Sequence, residues 1–340
     1  MAWWYSAMRA KRMASCVRMQ YVLEEVWEIS HEAEPSADFR AIWKEHVILF
    51  NGQVYLLKSV YHKAINQIKE NDYADDINAR SNTLNYLSGG SVFNPKEKGL
   101  GVPLEMTLAL HSDAGYSKTD EIIGSLGIYT TDFNNGLLNT GMDRYASRDL
   151  ADILLTQLQR DIRTTYNIPW TRRSMWNRNY SETRLPSVPS TIVELLSHQN
   201  FADMQLGHDP NFKFTVGRAI YKGVLRFVSS QHGKDYVVQP LPVSNFALQF
   251  GKKKNTLELS WQGENDPLEP TATPREYIVY TRIGYGGFDN GVLVSHPSYT
   301  LKIEPGLVYS FKVTAVNRGG ESFPSEILSA YKAKDEKGKI

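Results

Sequence analysis

Two apolar runs that each end in a reactive side chain constrain the fold of this 340-residue chain most strongly. The first run, Leu-Ala-Leu-His-Ser-Asp-Ala-Gly at residues 108–115, has the form of a buried strand that stops on a His-x-Asp step. The second, Pro-Ser-Thr-Ile-Val-Glu-Leu-Leu at residues 189–196, ends on a lone acid. In α/β proteins, side chains at the carboxyl ends of sheet strands leave the packed layer and face a crevice. We therefore predict that His111 and Glu194 lie close together at one edge of a sheet.

The residue types at these two strand ends suit a metal-dependent hydrolase. A neutral imidazole such as that of His111 offers one nitrogen to zinc, while a partner such as Asp113 orients the other nitrogen. An acid on a neighbouring strand, here Glu194, can take a proton from metal-bound water. The alternative is structural, with His111 as a hydrogen-bonded core histidine and Glu194 as a capping or salt-bridged acid.

Five short blocks between residues 75 and 227 occur in an informative order. They are an arginine, Arg80, on a predicted helix, then His-Ser-Asp at 111–113, Gly-Ser-Leu-Gly-Ile-Tyr at 124–129, Ser-Arg-Asp-Leu-Ala at 147–151, and Pro-Ser-Thr-Ile-Val-Glu at 189–194. The run after Glu194 ends in Asn-x-x-Asp at 200–203. Together these blocks resemble the zinc-dependent N-acetylmuramoyl-L-alanine amidase family commonly called type 3, in a divergent Bacteroidetes-like form.

The resemblance implies an α/β fold with a twisted sheet flanked by helices, and a cell-wall (peptidoglycan) hydrolase activity. It implies Zn²⁺ as cofactor, with His111 as a zinc ligand and Glu194 as the catalytic base and then acid. The bond cut would be the amide between the muramyl lactyl group and L-alanine. Three further side chains would either support the zinc ligand His111 or bind substrate: Asp113, Arg172 and Arg173. The aromatic and basic stretch at residues 170–176 is interpreted as the lining of a groove for a sugar ring, with aromatic faces stacked on the ring and arginines paired with carboxylates or a lactyl group. The alternative is a folded loop with solvated arginines.

The family's first two zinc ligands have no counterpart in this sequence. Family members carry a His in a Gly-His-Gly turn and a Glu on the following helix, but His31, His46 and His62 all lack a following glycine. Either the chain is an incomplete gene product or it is a whole protein that has lost the metal. The first is favoured because residues 2–10 resemble the aromatic helix that follows the family's first strand. We expect weak zinc binding or none, since one His and a distal acid leave most of the shell to water.

Three functions therefore stay open. The first is an amidase-type hydrolase of peptidoglycan that is inactive if truncated. The second is a non-catalytic glycan-binding or cell-wall-binding protein that keeps the amidase fold. The third is a polysaccharide lyase, which is disfavoured because a lyase needs a base at a sugar ring and not a hydrated metal.

Composition restricts the partners. A formal net charge of +1 gives no electrostatic case for nucleic acid or an acidic membrane surface, so neutral glycan or peptide partners are more natural. The family resemblance implies peptidoglycan or another glycan as the partner, with the protein as a monomer. The single cysteine, Cys16, excludes an internal disulfide. No apolar run approaches the roughly 20 residues of a membrane span, and the first residues lack the pattern of a signal peptide. The family resemblance nevertheless implies a periplasmic or extracellular (secreted) location.

The C-terminal part of the chain resembles a fibronectin type III module. A strand at residues 257–261 ends on Trp261, and an alternating strand follows at 277–282. Glu-Pro-Gly-Leu-Val-Tyr at 304–309 matches a tyrosine corner, in which the Tyr309 hydroxyl ties the corner to upstream backbone. The module implies an all-β immunoglobulin-like sandwich of seven strands with no catalytic role.

These observations predict five segments. Residues 1–70 form a divergent, mostly helical part that contains a hairpin with an Asn-Gly turn at residues 47–57. The amidase-like α/β domain spans residues 71–230, and a polar, Pro-containing linker spans residues 231–242. The remaining segments are the fibronectin type III module, 243–333, and a polar tail, 334–340.

Overall fold

A computed structural model of the chain describes Trp3–Tyr5, Val47–Phe50, Gln53–Leu56 and residues 72–335. The chain divides into two compact units, Met1–Asp235 and Tyr236–Ile340. The boundary between them falls inside the predicted linker. Within the described residues, no helix combines the length and apolar character needed to cross a membrane.

The first unit is built around a mixed five-stranded sheet. The strands of this unit are β1 (Trp3–Tyr5), β2 (Val47–Phe50), β3 (Gln53–Leu56), β4 (Thr107–Asp113), β5 (Leu126–Tyr129), β6 (Trp176–Asn177) and β7 (Ser190–Ser197). The sheet has the order β1-β4-β7-β5-β6, while β2 and β3 pair separately. Strands β4 and β7 run parallel to each other, whereas β5 is antiparallel to β7 and parallel to β6.

Helices complete this unit. They are α1 (Asp72–Ser88), α2 (Tyr145–Tyr166), α3 (Ser181–Arg184), α4 (Phe201–Gly207) and α5 (Pro210–Gln231). Helix α5 begins where the Asp209 side chain accepts a hydrogen bond from the Asn211 backbone N–H, with proline in the first turn. Helices α2 and α5 pack on each other, and the predicted amphipathic helix at residues 150–162 lies within α2.

Strand alternation separates the two faces of the sheet. Leu108 of β4 and Val193 of β7 belong to the large core that also contains the apolar side chains of α2 and α5. Their neighbours Ala109 and Ile192 point the other way and form a small cluster with Leu126 and Ile128 of β5. His111 and Glu194 follow Ala109 and Ile192 by two residues each, so they lie on this second face.

Two glycines of the 124–129 block are required by packing. Gly124 has φ +74°, and a Cβ there would lie 2.1 Å from the carbonyl oxygen of Thr171. A Cβ on Gly127 would approach the Cδ1 of Leu155 to 3.1 Å and the Cβ of Ala151 to 3.2 Å. The close approach of α2 to β5 thus favours glycine at Gly127, whereas the left-handed backbone and the nearby Thr171 carbonyl favour it at Gly124.

The N-terminal predictions have mixed outcomes. The hairpin is confirmed, because β2 and β3 pair antiparallel with Phe50 opposite Gln53, across the two-residue Asn-Gly connection. The helix predicted over the opening aromatic residues is wrong for Trp3–Tyr5, which form an edge strand antiparallel to β4. Trp and Tyr favour strands, and β4 offers a free edge for pairing. Cys16 and the other predictions for residues 6–46 and 57–71 lie outside the described residues.

The second unit is a two-sheet β-sandwich. Its strands are β8 (Ser244–Phe250), β9 (Thr256–Gln262), β10 (Glu276–Ile283), β11 (Val292–Val294), β12 (Ser298–Lys302), β13 (Val308–Asn317), β14 (Gly320–Glu321) and β15 (Leu328–Tyr331). One sheet has the order β12-β9-β8, and the other contains β11-β10-β13 with β14 and β15 both pairing with β13. Apart from the two-residue β14, these are the seven antiparallel strands of a fibronectin type III-like fold.

The predicted anchors of this sandwich lie in its core. Trp261 packs edge-on against Tyr277, with ring centroids 5.4 Å apart, and against Phe246 at 6.5 Å. Tyr309 is buried, and its hydroxyl accepts a hydrogen bond of 3.1 Å from the backbone N–H of Glu304. The tyrosine corner predicted from the sequence is therefore confirmed.

Replacing Tyr309 with phenylalanine is expected to destabilise the second unit by about 1–3 kcal/mol, since a buried backbone donor loses its acceptor while the ring stays in place. Peptide-resolved hydrogen exchange on the whole chain reports the free energy of unfolding of this unit separately. Tyr331→Phe, at an exposed position of β15, is the matched control. Equal protection in both variants would show that the corner hydrogen bond contributes no net stability.

Candidate functional site

His111 and Glu194 meet on the second face of the sheet. Strands β4 and β7 are paired in parallel, and the register places His111 directly beside Glu194. Side chains at paired positions of neighbouring strands share a face and lie about 5 Å apart at their Cβ atoms. The structure therefore brings these two residues together, as predicted, but on a face of the sheet and not at the strand ends, because β4 continues to Asp113 and β7 to Ser197.

Glu194 is held in a partly apolar environment. On the side away from His111, its register partner is the buried Leu126 of β5. Its Oε2 atom is buried and has no hydrogen-bond partner among the described residues. Burial raises the pKa of Glu194, and the nearby Asp113 and Glu182 carboxylates add to this, although His111 and Arg173 oppose it. A carboxyl group of this kind holds its proton to a higher pH than a free carboxyl group does, which suits it to proton transfer.

A second carboxylate, which the sequence analysis missed, contacts His111. Oε2 of Glu182 lies 3.0 Å from Nε2 of His111, and Oε1 lies 3.2 Å from Nη1 of Arg80. Burial disfavours the charged form of Glu182, but the contacts with His111 and Arg80 outweigh it and lower the pKa. Glu182 sits in the one-turn helix α3, where no periodic pattern marks it. Only the packing of α3 against α1 and β7 reveals its role.

Asp113 and Arg173 extend the cluster, whereas Arg172 does not. Nη1 of Arg173 donates to Oδ2 of Asp113 at 2.5 Å, and this bond helps to lower the pKa of Asp113 against the opposing effect of burial. Arg172 pairs instead with Asp152 of α2. Consecutive residues of an extended segment point to opposite faces, so only Arg173 is directed toward Asp113.

The aromatic stretch before β7 also divides between core and surface. Trp170 is buried, packs against Phe212 with centroids 5.3 Å apart, and donates through Nε1 to the Ser125 hydroxyl at 3.1 Å. The idea that it lines a groove is therefore wrong, because its indole fills the large core. Trp176, in β6, is 39% exposed.

The described residues do not complete a zinc site. No group of three His, Cys, Asp or Glu side chains among them is arranged to hold a metal ion. The Nε2 atom of His111 lies 3.0 Å from Oε2 of the Glu182 carboxylate. The upstream candidates His31, His46 and His62 lie outside the described residues. The donors present do not fit the tetrahedral shell that the resemblance implies.

The purified chain is therefore expected to hold well below one zinc ion per molecule. The two donors His111 and Glu194 cannot replace most of the water molecules that coordinate the ion. Elemental analysis after dialysis against zinc at neutral pH measures this. Stoichiometric zinc that survives the dialysis would contradict the expectation. It would also show that residues outside the described part of the chain, such as His31, His46 or Glu24, complete the site.

The Asn-x-x-Asp block after Glu194 is structural. Asp203 is fully buried, and its carboxylate accepts hydrogen bonds from the backbone N–H groups of Ile123 at 2.9 Å, Gly124 at 3.3 Å and Ser197 at 2.8 Å. Asn200 donates to the same carboxylate at 3.2 Å. Asp203 thus ties the turn before β5 to the end of β7.

Asp203→Asn is expected to cost about 1–3 kcal/mol of stability, because an amide nitrogen replaces one acceptor oxygen and leaves a buried backbone donor unpaired. Chemical denaturation of the first unit, followed by hydrogen exchange at β5 and β7, measures the loss. Asp149→Asn on the exposed side of α2 is the matched control. Unchanged stability in both variants would rule out the structural role.

Comparisons with known proteins leave the first unit without a family. No family model matches the chain, and no curated protein matches it. Similar solved structures include the twitchin kinase region from C. elegans, with 20% identity, a TM-score of 0.26 and coverage of 30% of this chain and 18% of that one. A structure titled "Myokine structure" has 18% identity and a TM-score of 0.24, over 28% of this chain and 100% of that one.

The FN1–FN3 domains of chicken CNTN1 have 17% identity and a TM-score of 0.24, over 28% of this chain and 31% of that one. This chain thus spans less than a third of the twitchin and CNTN1 structures. The fibronectin type III-like fold of the second unit rests on its own strand order and tyrosine corner.

Proposed function

We propose that the first unit is an amidase-like α/β domain that hydrolyses peptidoglycan at the amide between the muramyl lactyl group and L-alanine. The observation that carries the proposal is the pairing of His111 with Glu194, whose Oε2 is buried and unpartnered. Amide hydrolysis of this kind needs a positioned carboxyl group that accepts a proton from water and then returns it to the leaving amine. The proposal also locates the protein in the periplasm or outside the cell, where peptidoglycan lies.

Glu194 is the proton-transfer residue in this proposal. In its ionised form it takes a proton from the water that attacks the amide carbonyl, and it then delivers that proton to the leaving amine. Its raised pKa favours the second step, because the carboxyl group holds the proton until the C–N bond breaks. Glu182, fixed by Arg80, keeps the His111 ring in position beside Glu194.

A second candidate function is non-catalytic binding of glycan or cell wall by the same face. The 3.0 Å separation between Nε2 of His111 and the Glu182 carboxylate favours it, since a carboxylate beside this nitrogen competes with a metal or substrate for it. The incomplete donor set of the described residues favours it as well. The two candidates differ in whether any bond is broken.

Incubation of the full chain with purified peptidoglycan sacculi tests both candidates. Hydrolysis releases stem peptides that begin with a free L-alanine amine, together with glycan strands whose lactyl groups are free carboxylates, and mass spectrometry detects both. Co-sedimentation of the protein with sacculi without released peptide would support the binding function and contradict the hydrolase. Parallel reactions with a chelator and with added zinc show whether a metal is needed.

A further inference from the structure

Trp176 lies on the same face of the sheet as Glu194. Strand β6 is the edge of the sheet next to β5, and the parallel register pairs Trp176 with Ile128. Ile128 belongs to the small apolar cluster on the second face, together with Ile192, which precedes Glu194 by two residues. The indole is 39% exposed, so it presents an aromatic surface at the edge of the site.

Two guanidinium groups lie over the ring of this indole. The Cζ atom of Arg173 lies 5.7 Å from the Trp176 ring centroid, and the Cζ atom of Arg178 lies 5.9 Å from it. Arg173 also binds Asp113, so contacts run without a break from the reactive cluster to the indole. The two arginines differ in charge balance, because Asp113 neutralises Arg173.

Arg178 keeps an unbalanced positive charge. Its side chain is exposed, and no carboxylate among the described side chains of residues 77–335 forms an ion pair with it. Its Nη1 donates only a long hydrogen bond of 3.4 Å to the backbone oxygen of Asn177. An exposed guanidinium beside an aromatic ring can bind a planar anion through two parallel N–H groups.

We propose that Trp176 and Arg178 form a subsite for a pyranose ring that bears a carboxylate. The apolar C–H face of the sugar would pack on the exposed part of the indole, and the carboxylate would pair with Arg178. The inference rests on the proposed function, in which cleavage leaves a free lactyl carboxylate on the sugar. Charge complementarity therefore favours an acidic glycan over a neutral one.

Isothermal titration of the full chain tests the subsite without any hydrolysis. The ligands are soluble glycan strands with free muramyl lactyl groups, a hexuronic acid oligomer, and a neutral N-acetylglucosamine oligomer. We expect the wild-type chain to bind an acidic ligand at least about tenfold more tightly than the neutral one, with the difference falling at high salt. Whichever acidic ligand binds better shows whether the carboxylate that the subsite recognises belongs to a lactyl group or to a hexuronic acid.

Variants then assign the binding to these residues. Trp176→Ala is expected to weaken binding of the acidic ligand at least about tenfold, as for other truncated aromatic anchors. Arg178→Gln should remove the preference for acidic over neutral ligand while the neutral affinity stays unchanged. Phe201→Ala, an exposed aromatic of α4 in the same unit, is the matched control and should bind like wild type.

Equal affinity of the wild-type chain for acidic and neutral ligands would overturn the proposal, and so would wild-type binding by both Trp176→Ala and Arg178→Gln. Because the titration uses reaction products and no cleavage, its result is separable from the proposed function. Failure of cleavage with intact binding removes only the hydrolase. Failure of binding with intact cleavage removes only the subsite.

Discussion

Replacing Glu194 with glutamine is expected to lower the rate of amide cleavage at least about 100-fold, because general acid–base catalysis contributes about 10²–10⁴ in rate and an amide cannot carry the proton. The side chain keeps its size, so the register partners His111 and Leu126 keep their packing. Initial rates of peptide release from sacculi measure the effect. Glu121→Gln, which alters an exposed carboxylate of the same unit, should cleave at the wild-type rate.

Stability data separate loss of chemistry from loss of fold in this variant. Since the pKa of Glu194 is raised above its ordinary value of 4.5, the folded chain holds the proton more tightly than the unfolded chain does. The protonated Glu194 therefore makes its full favourable contribution to the free energy of unfolding below pH 4.5. This contribution is lost as the pH rises through the folded-state pKa. Glu194→Gln removes this loss and should melt at or above the wild-type temperature at pH 7.

Two results would contradict the role of Glu194. Cleavage by Glu194→Gln at a rate near that of wild type would show that another group transfers the proton. A variant that is inactive but also unfolded at pH 7 would show that Glu194 is needed for structure, as in the structural alternative drawn from the sequence.

Replacing Lys222 with methionine is expected to destabilise the first unit by about 3–5 kcal/mol, the usual cost of removing one partner from a buried ion pair. Lys222 of α5 is 1% exposed, and its Nζ lies 2.6 Å from Oδ2 of Asp161 on α2. Nε2 of Gln157 also donates to both oxygens of Asp161 at 2.9 Å. Methionine fills a similar volume but leaves the buried carboxylate without the positive charge of Lys222.

A double variant provides the control. Lys222→Met combined with Asp161→Leu replaces both charges by apolar side chains, which is often neutral in protein cores. We expect it to recover most of the lost stability in urea unfolding, with hydrogen exchange restored in α2 and α5. A double variant as unstable as the single one would mean that shape, and not the unpaired charge, determines the cost.

Local patterns predicted much of the fold. The alternating strands and the tyrosine corner of the second unit are encoded within short segments, because side chains of a strand alternate regardless of its neighbours. In the first unit, the strand containing His111 and the strand containing Glu194 were predicted from their apolar runs. The strand formed by Trp3–Tyr5 was missed, since an edge strand depends on the partner that it finds.

The candidate site was predictable only in part. The sequence by itself determined that His111 and Glu194 belong to two buried strands, because the apolar runs mark those strands. The structure shows that the two strands are neighbours and that both residues lie inside them, since the strands continue to Asp113 and Ser197. The tertiary structure alone decided that Glu182 and Arg80 join them, that Arg173 faces Asp113 while Arg172 faces α2, and which indole stays exposed. The physical reason is that periodicity follows burial along one element, whereas contacts between charged groups depend on how separate elements pack, and no local pattern records that packing.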